Sequence, residues 1–305
     1  MLSADTEVLS KDGWVKVSEV TETRPILQAW PISGGTVELE WSRASVSAQA
    51  GLSQFALCEA ETVTFRATTD HTMLVVAPDG RWIEGTLSSL RNFHRLPAAG
   101  LLRAGDHLDE RGRLVLAVAL ATQADGSFTE AGAIDFGFQK VRKVERLKSL
   151  LKQANISFRY THQEAKGRHR FIIPPPQAIK IKALLTKDKQ LLWNLLQLAP
   201  PERDGVLEEI VHWDSSVEDG GFRFSTAHFH NAEIVLALAA IGGRRARLSA
   251  DREWWRVRVT TASAHDLQKV KVTLSEAEGQ VFKILNSSGY ILARQGGTTL
   301  ITRGW

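Results

Sequence analysis

The sequence has 305 residues, 43% of them hydrophobic and 24% charged, and its formal net charge is +4 at pH 7. This composition is that of a globular protein long enough for two sizeable cores, and no run approaches the roughly 18 apolar residues of a membrane span. A single cysteine excludes an intramolecular disulfide and a Cys-rich zinc site. The first residues, MLSADTEVL, lack the basic and apolar parts of a signal peptide, so we expect a cytoplasmic protein.

Residues 1 to about 110 show no convincing long helix. They alternate short β-type runs with turn residues such as Gly, Asp and Pro. The predicted strands are Thr6 to Leu9, Trp14 to Val17, Pro25 to Trp30, Thr36 to Trp41, Val63 to Thr68, Met73 to Val76, and Trp82 with Ile83. Short strands at this spacing predict an all-β region.

An apolar helical run covers Leu114 to Phe128 and stops at one acid, Asp125, which is followed by Gly126 and Ser127. A shorter apolar run at Val206 to Ser216 also ends on an acid, Asp214. If the two helices pack side by side, their acids meet at one place, and paired carboxylates bind divalent metals. Each acid alone has a plainer interpretation, as a cap or turn residue at a helix end.

Each of the two acids stands at the start of one of two similar units. Each acid is followed by an alternating strand, a helix and two further strands. In the first unit these are Gly132 to Gln139, Val141 to Ala154, Ser157 to Thr161 and His169 to Ile173; in the second, Gly221 to Thr226, Asn231 to Ile241, Arg245 to Ser249 and Trp254 to Thr260. We interpret this as an internal duplication with a pseudo-twofold axis, with repeats at about residues 111–176 and 200–262.

The ending Ala124-Asp125-Gly126-Ser127, the FGF strand and the basic helix after it resemble the LAGLIDADG homing endonucleases in the form embedded in inteins. The resemblance implies that two motif helices pack at the domain centre, that Asp125 and Asp214 bind divalent metal and act in catalysis, and that the flanking sheets straddle DNA. The second copy departs from the motif, since Ser215 replaces Gly and Glu208 and Glu209 stand at positions that favour small residues.

The ends of the chain resemble the self-splicing Hint domain of inteins. Leu2 to Leu9 with Asp12-Gly13 is similar to the opening intein block, Thr68-Thr69-Asp70-His71 has the TxxH arrangement, and Gln280 to Trp305 resembles the closing blocks. The resemblance implies an all-β Hint domain, residues 1–110 and 267–305, interrupted by an α+β LAGLIDADG endonuclease domain, residues 111–266, with two pseudo-symmetric repeats.

The splicing chemistry of that family is expected to be lost. A nucleophile is needed at residue 1, but Met1 has a thioether. In the alignment with the family's last strand, Arg303 and Gly304 take the places of the penultimate His and terminal Asn, and Lys283 stands where Asp or Cys is usual. The vestigial splicing positions are therefore Met1, Thr68, Asp70, His71, Lys283, Arg303 and Gly304.

Basic residues are concentrated from Gln139 to Lys189, with 14 against 3 acidic. Such a run is often only a solvated face, but next to paired acids it favours contact with nucleic acid. The candidate DNA contacts are Lys140, Arg142, Lys143, Arg159, His162, Gln163, Arg168, His169, Arg223, Arg245 and Arg247. Arg170 and Arg256 or Arg258 are candidates for stabilising negative charge during the reaction.

The resemblance implies a monomeric Mg²⁺-dependent hydrolase of mobile-element type, in a bacterial, archaeal or phage-infected cell, which cuts both strands of a DNA target site. One alternative is a DNA-binding remnant that recognises its site but cleaves weakly or not at all. Another is an intein whose terminal residues have been altered.

Overall fold

The computed structural model describes residues 1–92 and 94–305, and only the backbone of Ser33 and Lys166. The fold is mixed α/β. Before the first helix come β1 (Leu2–Ser3), β2 (Glu7–Ser10), β3 (Gly13–Lys16), β4 (Ile26–Pro31), β5 (Val37–Ser42), β6 (Ser45–Glu59), β7 (Thr64–Thr68), β8 (Thr72–Val76), β9 (Trp82–Thr86), β10 (Arg95–Pro97) and β11 (Leu101–Leu102).

The middle of the chain contains the helices. The first half has α1 (Glu110–Asp125), β12 (Gly126–Phe128), β13 (Ile134–Phe138), α2 (Val141–Gln153), β14 (Arg159–Gln163), β15 (Arg168–Ile173) and α3 (Pro175–Lys182). The second has α4 (Pro200–Trp213), β16 (Ser215–Glu218), β17 (Gly221–Thr226), α5 (Phe229–Ile241), β18 (Ala246–Asp251) and β19 (Trp254–Thr260). The chain closes with β20 (Ala264–Asp266), β21 (Lys271–Leu285), β22 (Tyr290–Gln295) and β23 (Thr298–Arg303).

The strands at the two ends of the chain fold together into one β-rich region, residues 1–102 and 264–305. Strand β21 pairs with β6 over its whole length and with β1, and these three strands close a small barrel with β7. Strand β22 lies between strands of the N-terminal part and β23. The inward side chains, among them Leu2, Phe65, Met73 and Leu300, are completely buried.

The predicted duplication is present. The first repeat forms sheet 1 in the order β12-β13-β15-β14, and the second forms sheet 2 in the same order, β16-β17-β19-β18. Helices α1 and α4 pack against each other at the centre. Each acid thus stands where a central helix passes into the first strand of its own sheet.

The two sheets differ at their outer edges. Strand β18 pairs with β23, so sheet 2 continues directly into the largest sheet of the β-rich region. Helix α5 is buried from Ala232 to Ile241 apart from Glu233, and it belongs to a core cluster that also contains Leu27 and Leu39. The second repeat and the β-rich region therefore share a core, although the sequence suggested separate domains.

Two features escaped the sequence analysis. The triple proline at residues 174–176 starts α3, because proline is tolerated in the first turn of a helix. The long strands β6 and β21 were not predicted because residues 47–52 of β6 and most of β21 up to Gln280 are exposed. A ribbon that is solvated on both faces lacks the apolar and polar alternation by which strands are identified.

Within residues 1–92 and 94–305, the structure contains no helix long and apolar enough to cross a membrane.

Candidate active site

The two central helices end differently. A Cβ on Gly126 would lie 2.9 Å from the Thr122 Cα, so only glycine lets the chain enter β12 directly after Asp125. Helix α4 ends one residue earlier, and Asp214 is its non-helical cap, with φ −112° and ψ 29°. This earlier exit explains how Ser215 is accommodated where the motif has glycine.

The two acids converge on one ammonium group. The Nζ of Lys143 lies 2.5 Å from the Asp125 Oδ2 and 3.9 Å from the Asp214 Oδ1. The two carboxylate oxygens are therefore no farther apart than the sum of these distances. The sequence predicted Lys143 as a contact to DNA, whereas the structure buries it beside the two acids, since the third residue of α2 faces the helix ends.

A second lysine, Lys189, completes the site, and the sequence analysis did not single it out. Its Nζ donates a hydrogen bond to the Gly126 carbonyl oxygen, and it has φ 59°, which is uncommon for a residue other than glycine. It lies in the turn after α3, so no periodicity marks it. Burial lowers the pKa of Lys189, and the charges of Asp125 and Asp214 oppose that shift.

The site is partly shielded from water. Burial and the neighbouring Asp125 raise the pKa of Asp214, against the attraction of Lys143 and Lys189. Beside Asp214 a cleft of about 380 Å³ opens, lined by Lys189, Ser225, His228 and Trp254 among others. Of the four charged groups, the Asp214 carboxylate and the Lys189 ammonium thus line a space that a phosphate group can enter.

Helix α2 of the first repeat also reaches across to α4. Glu209, an acid at a position where the motif favours a small residue, is 5% exposed and forms an ion pair with Arg146. The Trp213 Nε1 donates to the same carboxylate at 2.8 Å, and Arg142 donates to the His212 carbonyl oxygen at 2.5 Å. The unexpected acid is therefore satisfied, and the central helices still pack together.

The outward face of sheet 1 carries part of the predicted DNA contacts. The register places Arg159, Gln163 and Arg168 on the same face as Arg170. Their neighbours Tyr160, His162 and His169 point to the other face, where the two histidine rings stack with centroids 4.2 Å apart. His162 and His169 therefore do not share a surface with the arginines, because successive strand residues alternate in direction.

Sheet 2 has a row of three arginines across its outward face. Arg223, Arg258 and Arg247 stand opposite one another on neighbouring strands. Glu218 forms ion pairs with Arg223 and Arg258. Arg245 precedes β18 and donates to the Ala264 carbonyl oxygen at 2.9 Å.

Arg170 and Arg256 occupy equivalent places in the two sheets. In sheet 1, Gly126 pairs with Phe136, and the residue after Phe136 pairs with Arg170. In sheet 2, Ser215 pairs with Phe224, and the residue after Phe224 pairs with Arg256. Arg170 forms a bidentate ion pair with Asp135, and Arg256 pairs with Asp251. Within the described part of the chain, Arg170, Arg256 and Arg258 thus form ion pairs with acids other than Asp125 and Asp214.

Lys140, also a candidate contact to DNA, is the N-cap residue of α2 and is exposed.

Four of the predicted splicing positions lie together. The Met1 amino group donates to the Thr68 Oγ1 at 2.5 Å and lies 3.9 Å from Asp70, and burial lowers its pKa to about 6. His71 is buried, its Nε2 is 2.7 Å from the Thr302 Oγ1, and burial lowers its pKa to about 3.

The other three splicing positions border this cluster or turn away from it. Lys283 stands beside Met1 in the register of β1 and β21, and Gly304 accepts a hydrogen bond from the next residue, Ile284, at 2.6 Å. Arg303 instead points to Glu84, 3.3 Å away. The predicted positions of the two chain ends thus meet around β21, with Arg303 directed outward.

Comparison of the sequence with protein-family models gives no match, and comparison with curated proteins gives none either. Solved structures with similarity include a variant of the homing endonuclease I-DmoI, at 9% identity and a TM-score of 0.39 over 50% of this chain and 91% of that one. I-DmoI in complex with DNA and Mn gives 9% and 0.38 over 48% and 90%. Full-length DUF199/WhiA from Thermatoga maritima gives 10% and 0.37 over 51% and 53%.

Proposed function

We propose that this protein is an endonuclease of the LAGLIDADG homing type, which binds a double-stranded DNA target across sheets 1 and 2 and hydrolyses it beside Asp125 and Asp214. The observation that carries the proposal is the convergence of both acids on the Lys143 ammonium. The acids are 89 positions apart in the chain and come from two copies of one unit. The same scaffold could serve DNA binding alone, but two partly buried acids held close together are costly without a use.

The donor set fits a divalent cation shared with DNA. No group of three or more His, Cys, Asp and Glu side chains suited to a metal occurs in residues 1–92 and 94–305. Mg²⁺, however, is usually held by one or two carboxylates together with substrate phosphates. Asp125 and Asp214 supply the carboxylates. A bound cation would generate the nucleophilic hydroxide and neutralise the leaving oxygen.

The two lysines have one role before DNA binds and another after it binds. In the free protein the charges of Lys143 and Lys189 balance those of the two acids. A DNA phosphate brings additional negative charge, and the ammonium groups can then turn from the carboxylates to the phosphate oxygens. Donors already placed around a phosphate stabilise the charge that develops during hydrolysis.

The β-rich region is proposed to be a Hint domain that no longer splices. Its supporting feature is that Met1, Thr68, Asp70 and His71 form one cluster next to Lys283. The cluster lacks the chemistry for splicing, since Met1 has no thiol or hydroxyl group and Gly304 has no amide side chain to cyclise.

A DNA-binding protein without cleavage is the second candidate. It is favoured by the 2.5 Å contact between Lys143 and Asp125, because a metal ion bound by Asp125 must displace that ammonium group. In this case the sheets and their arginines would retain DNA recognition while the acid pair remains neutralised.

The two candidates are separated by a cleavage assay. A target is first selected from a pool of randomised duplexes by binding, and cleavage is then measured with Mg²⁺ and with EDTA. We expect the wild type to cut with Mg²⁺, and Asp125→Asn to bind equally well but to cut at least about 10³-fold more slowly, because the metal contributes several kcal/mol to transition-state stabilisation. Asp12→Asn, an exposed acid in the β-rich region, is the control with the same change of charge.

Three results are informative. Cutting that depends on Mg²⁺ and on Asp125 supports the endonuclease. Binding without cutting supports the second candidate. A wild-type protein that selects no duplex contradicts both.

A further inference from the structure

A cleft of about 270 Å³ lies where sheet 2 meets the β-rich region, on the outward face of the sheet. We call it the junction cleft, and it is lined by Glu61, Thr62, Arg245, Ala246, Arg247, Arg258, Thr260 and His265. Arg247, Arg258 and Thr260 belong to the outward row of sheet 2, whereas the wall of Glu61, Thr62 and His265 comes from the β-rich region. Residues distant in the chain thus form one concave surface.

The charge of the junction cleft comes from its arginines. Burial lowers the pKa of Arg245, and the neighbouring Arg258 adds to this shift, whereas the charges of Asp266 and Glu61 oppose it. His265 is neutral at physiological pH, because burial lowers its pKa to about 4. Its Nε2 donates to the Thr299 carbonyl oxygen at 2.8 Å, and its Nδ1 lies 3.2 Å from the Thr62 Oγ1. Three guanidinium groups therefore line the cleft with one acid, Glu61, while Asp266 lies close enough to attract Arg245 and Glu218 pairs with Arg258.

These guanidinium groups retain unused capacity. Arg245 and Arg247 donate to the backbone carbonyl oxygens of Ala264 and Glu61, and neither forms a salt bridge within the part of the chain that the structure describes. Arg258 uses its Nε for Glu218. A guanidinium group has five N–H donors in a planar fork, and that fork matches the oxygens of a phosphate.

We propose that the junction cleft binds a backbone phosphate of the DNA duplex that lies on sheet 2, so that the β-rich region is part of the DNA interface. The inference rests on the proposed function, because it takes the outward face of sheet 2 as the surface on which the duplex lies. A duplex that continues past β18 meets the wall of the β-rich region next. A phosphate there is held without regard to base sequence, since it contacts no base edge.

The main test uses two charge changes in the cleft and one matched control. Arg245→Gln removes a donor, and Glu61→Gln removes the opposing acid without touching any proposed contact. Glu59→Gln is the control, because Glu59 is also exposed and lies two residues away, at the end of β6. Binding to the selected duplex is measured by fluorescence anisotropy over a series of salt concentrations.

We expect Arg245→Gln to weaken binding about tenfold and to reduce the slope of log affinity against log salt by about one. Glu61→Gln should strengthen binding about threefold, because one repulsive charge beside the phosphate is removed. Glu59→Gln should leave affinity unchanged. A duplex shortened at the end that lies on sheet 2 should bind the wild type more weakly than the full duplex does. For Arg245→Gln, the shortened and the full duplex should bind equally well.

A second arm separates DNA phosphate from free phosphate. Inorganic phosphate should raise the thermal midpoint of the wild type but not that of Arg245→Gln. If this shift occurs while Arg245→Gln and Glu61→Gln leave DNA affinity unchanged, the cleft binds free phosphate and the proposal is overturned. It is overturned as well if Glu59→Gln acts like Glu61→Gln, or if neither DNA affinity nor the midpoint responds.

Failure of the proposed function would look different, since the wild type would then bind no selected duplex whatever happens in the cleft. Glu61→Gln also keeps the test informative if Arg245→Gln does not fold, because Glu61 is exposed and its substitution leaves no buried group unpaired.

Discussion

The two repeats share one strand order but differ in what surrounds their acids. Lys143 is the third residue after the N-cap Lys140, and its equivalent after the N-cap His228 is Asn231. Lys143 contacts both acids, whereas the Asn231 Oδ1 accepts a hydrogen bond from the Leu191 N–H at 2.9 Å. The same helix position thus supplies a charge to the site in one repeat and supports a loop in the other.

The difference extends along both helices. Six residues after the N-cap, α2 has Arg146, which pairs with Glu209, and α5 has Ile234, which is completely buried. Helix α2 has a solvated side, whereas α5 is enclosed between sheet 2 and the β-rich region. The backbone of a duplicated unit thus preserves the meeting of two helix ends, while its side chains are free to specialise. On the proposed function, we therefore expect the two DNA strands to be cut at unequal rates.

The largest expected effect is on cleavage. Lys143→Met removes the ammonium group that only the first repeat supplies, and we expect cleavage to slow by about 10²- to 10³-fold, the usual loss for one stabilising donor. The rate on each strand is measured with a duplex labelled at either end. Lys152→Met, on the exposed last turn of α2, is the control. Equal loss on both strands would show that the asymmetry of the repeats has no consequence for chemistry.

The next effect concerns the stability of the first repeat. Arg146→Met leaves the buried Glu209 carboxylate without its charged partner, and we expect the free energy of unfolding to fall by about 2 kcal/mol, which allows for the partial exposure of Arg146. Combining it with Glu209→Gln removes the buried charge while the side-chain oxygen can still accept from the Trp213 Nε1, and should restore most of the loss. Urea unfolding measures both. A double variant as unstable as the single one would contradict the assignment.

In the second repeat, Asn231→Ala removes the acceptor of the Leu191 N–H. An unsatisfied buried donor costs about 1 to 2 kcal/mol, so the midpoint of urea unfolding should fall accordingly. Asn194→Ala provides the control at an exposed asparagine. The idea that Asn231 supports the loop is wrong if the two variants are equally stable.

The smallest effect tests the junction between sheet 2 and the β-rich region. The pKa of His265 is lowered from 6.5 to about 4, so its neutral form stabilises the fold above pH 6.5 and that contribution is lost as the pH falls toward 4. At pH 5.5 the loss is about 1 kcal/mol. Hydrogen exchange of the β18 and β23 amides should then accelerate more than that of β13 and β15. His265→Gln should reduce this difference, since only the contribution of His71 next to β23 then remains, and an identical response of both sheets would refute it.

Much of the fold was predictable because local chemistry determines it. The helices of both repeats were predicted to within a few residues at most of their ends, since an apolar stripe of helical period and the Asp125-Gly126 stop are local signals. Strand β17 was predicted with its observed bounds, Gly221–Thr226, because Phe222 and Phe224 alternate with polar residues. The pairing of Asp125 with Asp214 followed from the duplication.

Other features depend on groups brought together from distant parts of the chain. Lys189 joins the acids only because α3 and the turn after it fold back on β12, and no pattern around residue 189 indicates this. In the sequence, Glu209 departs from the second motif, and only the fold brings Arg146 close enough to neutralise it. The opposite directions of His162 and Arg168 depend on the register of β14 and β15.

By itself the sequence predicted the two repeats, most of their secondary structure and the meeting of Asp125 with Asp214, because helix and strand periodicity are properties of neighbouring residues. Only the tertiary structure decided which charges meet those acids, which arginines share a face, and that sheet 2 continues into the β-rich region. Charges interact through space over a few ångströms whatever their separation along the chain, and only the folded chain establishes those distances.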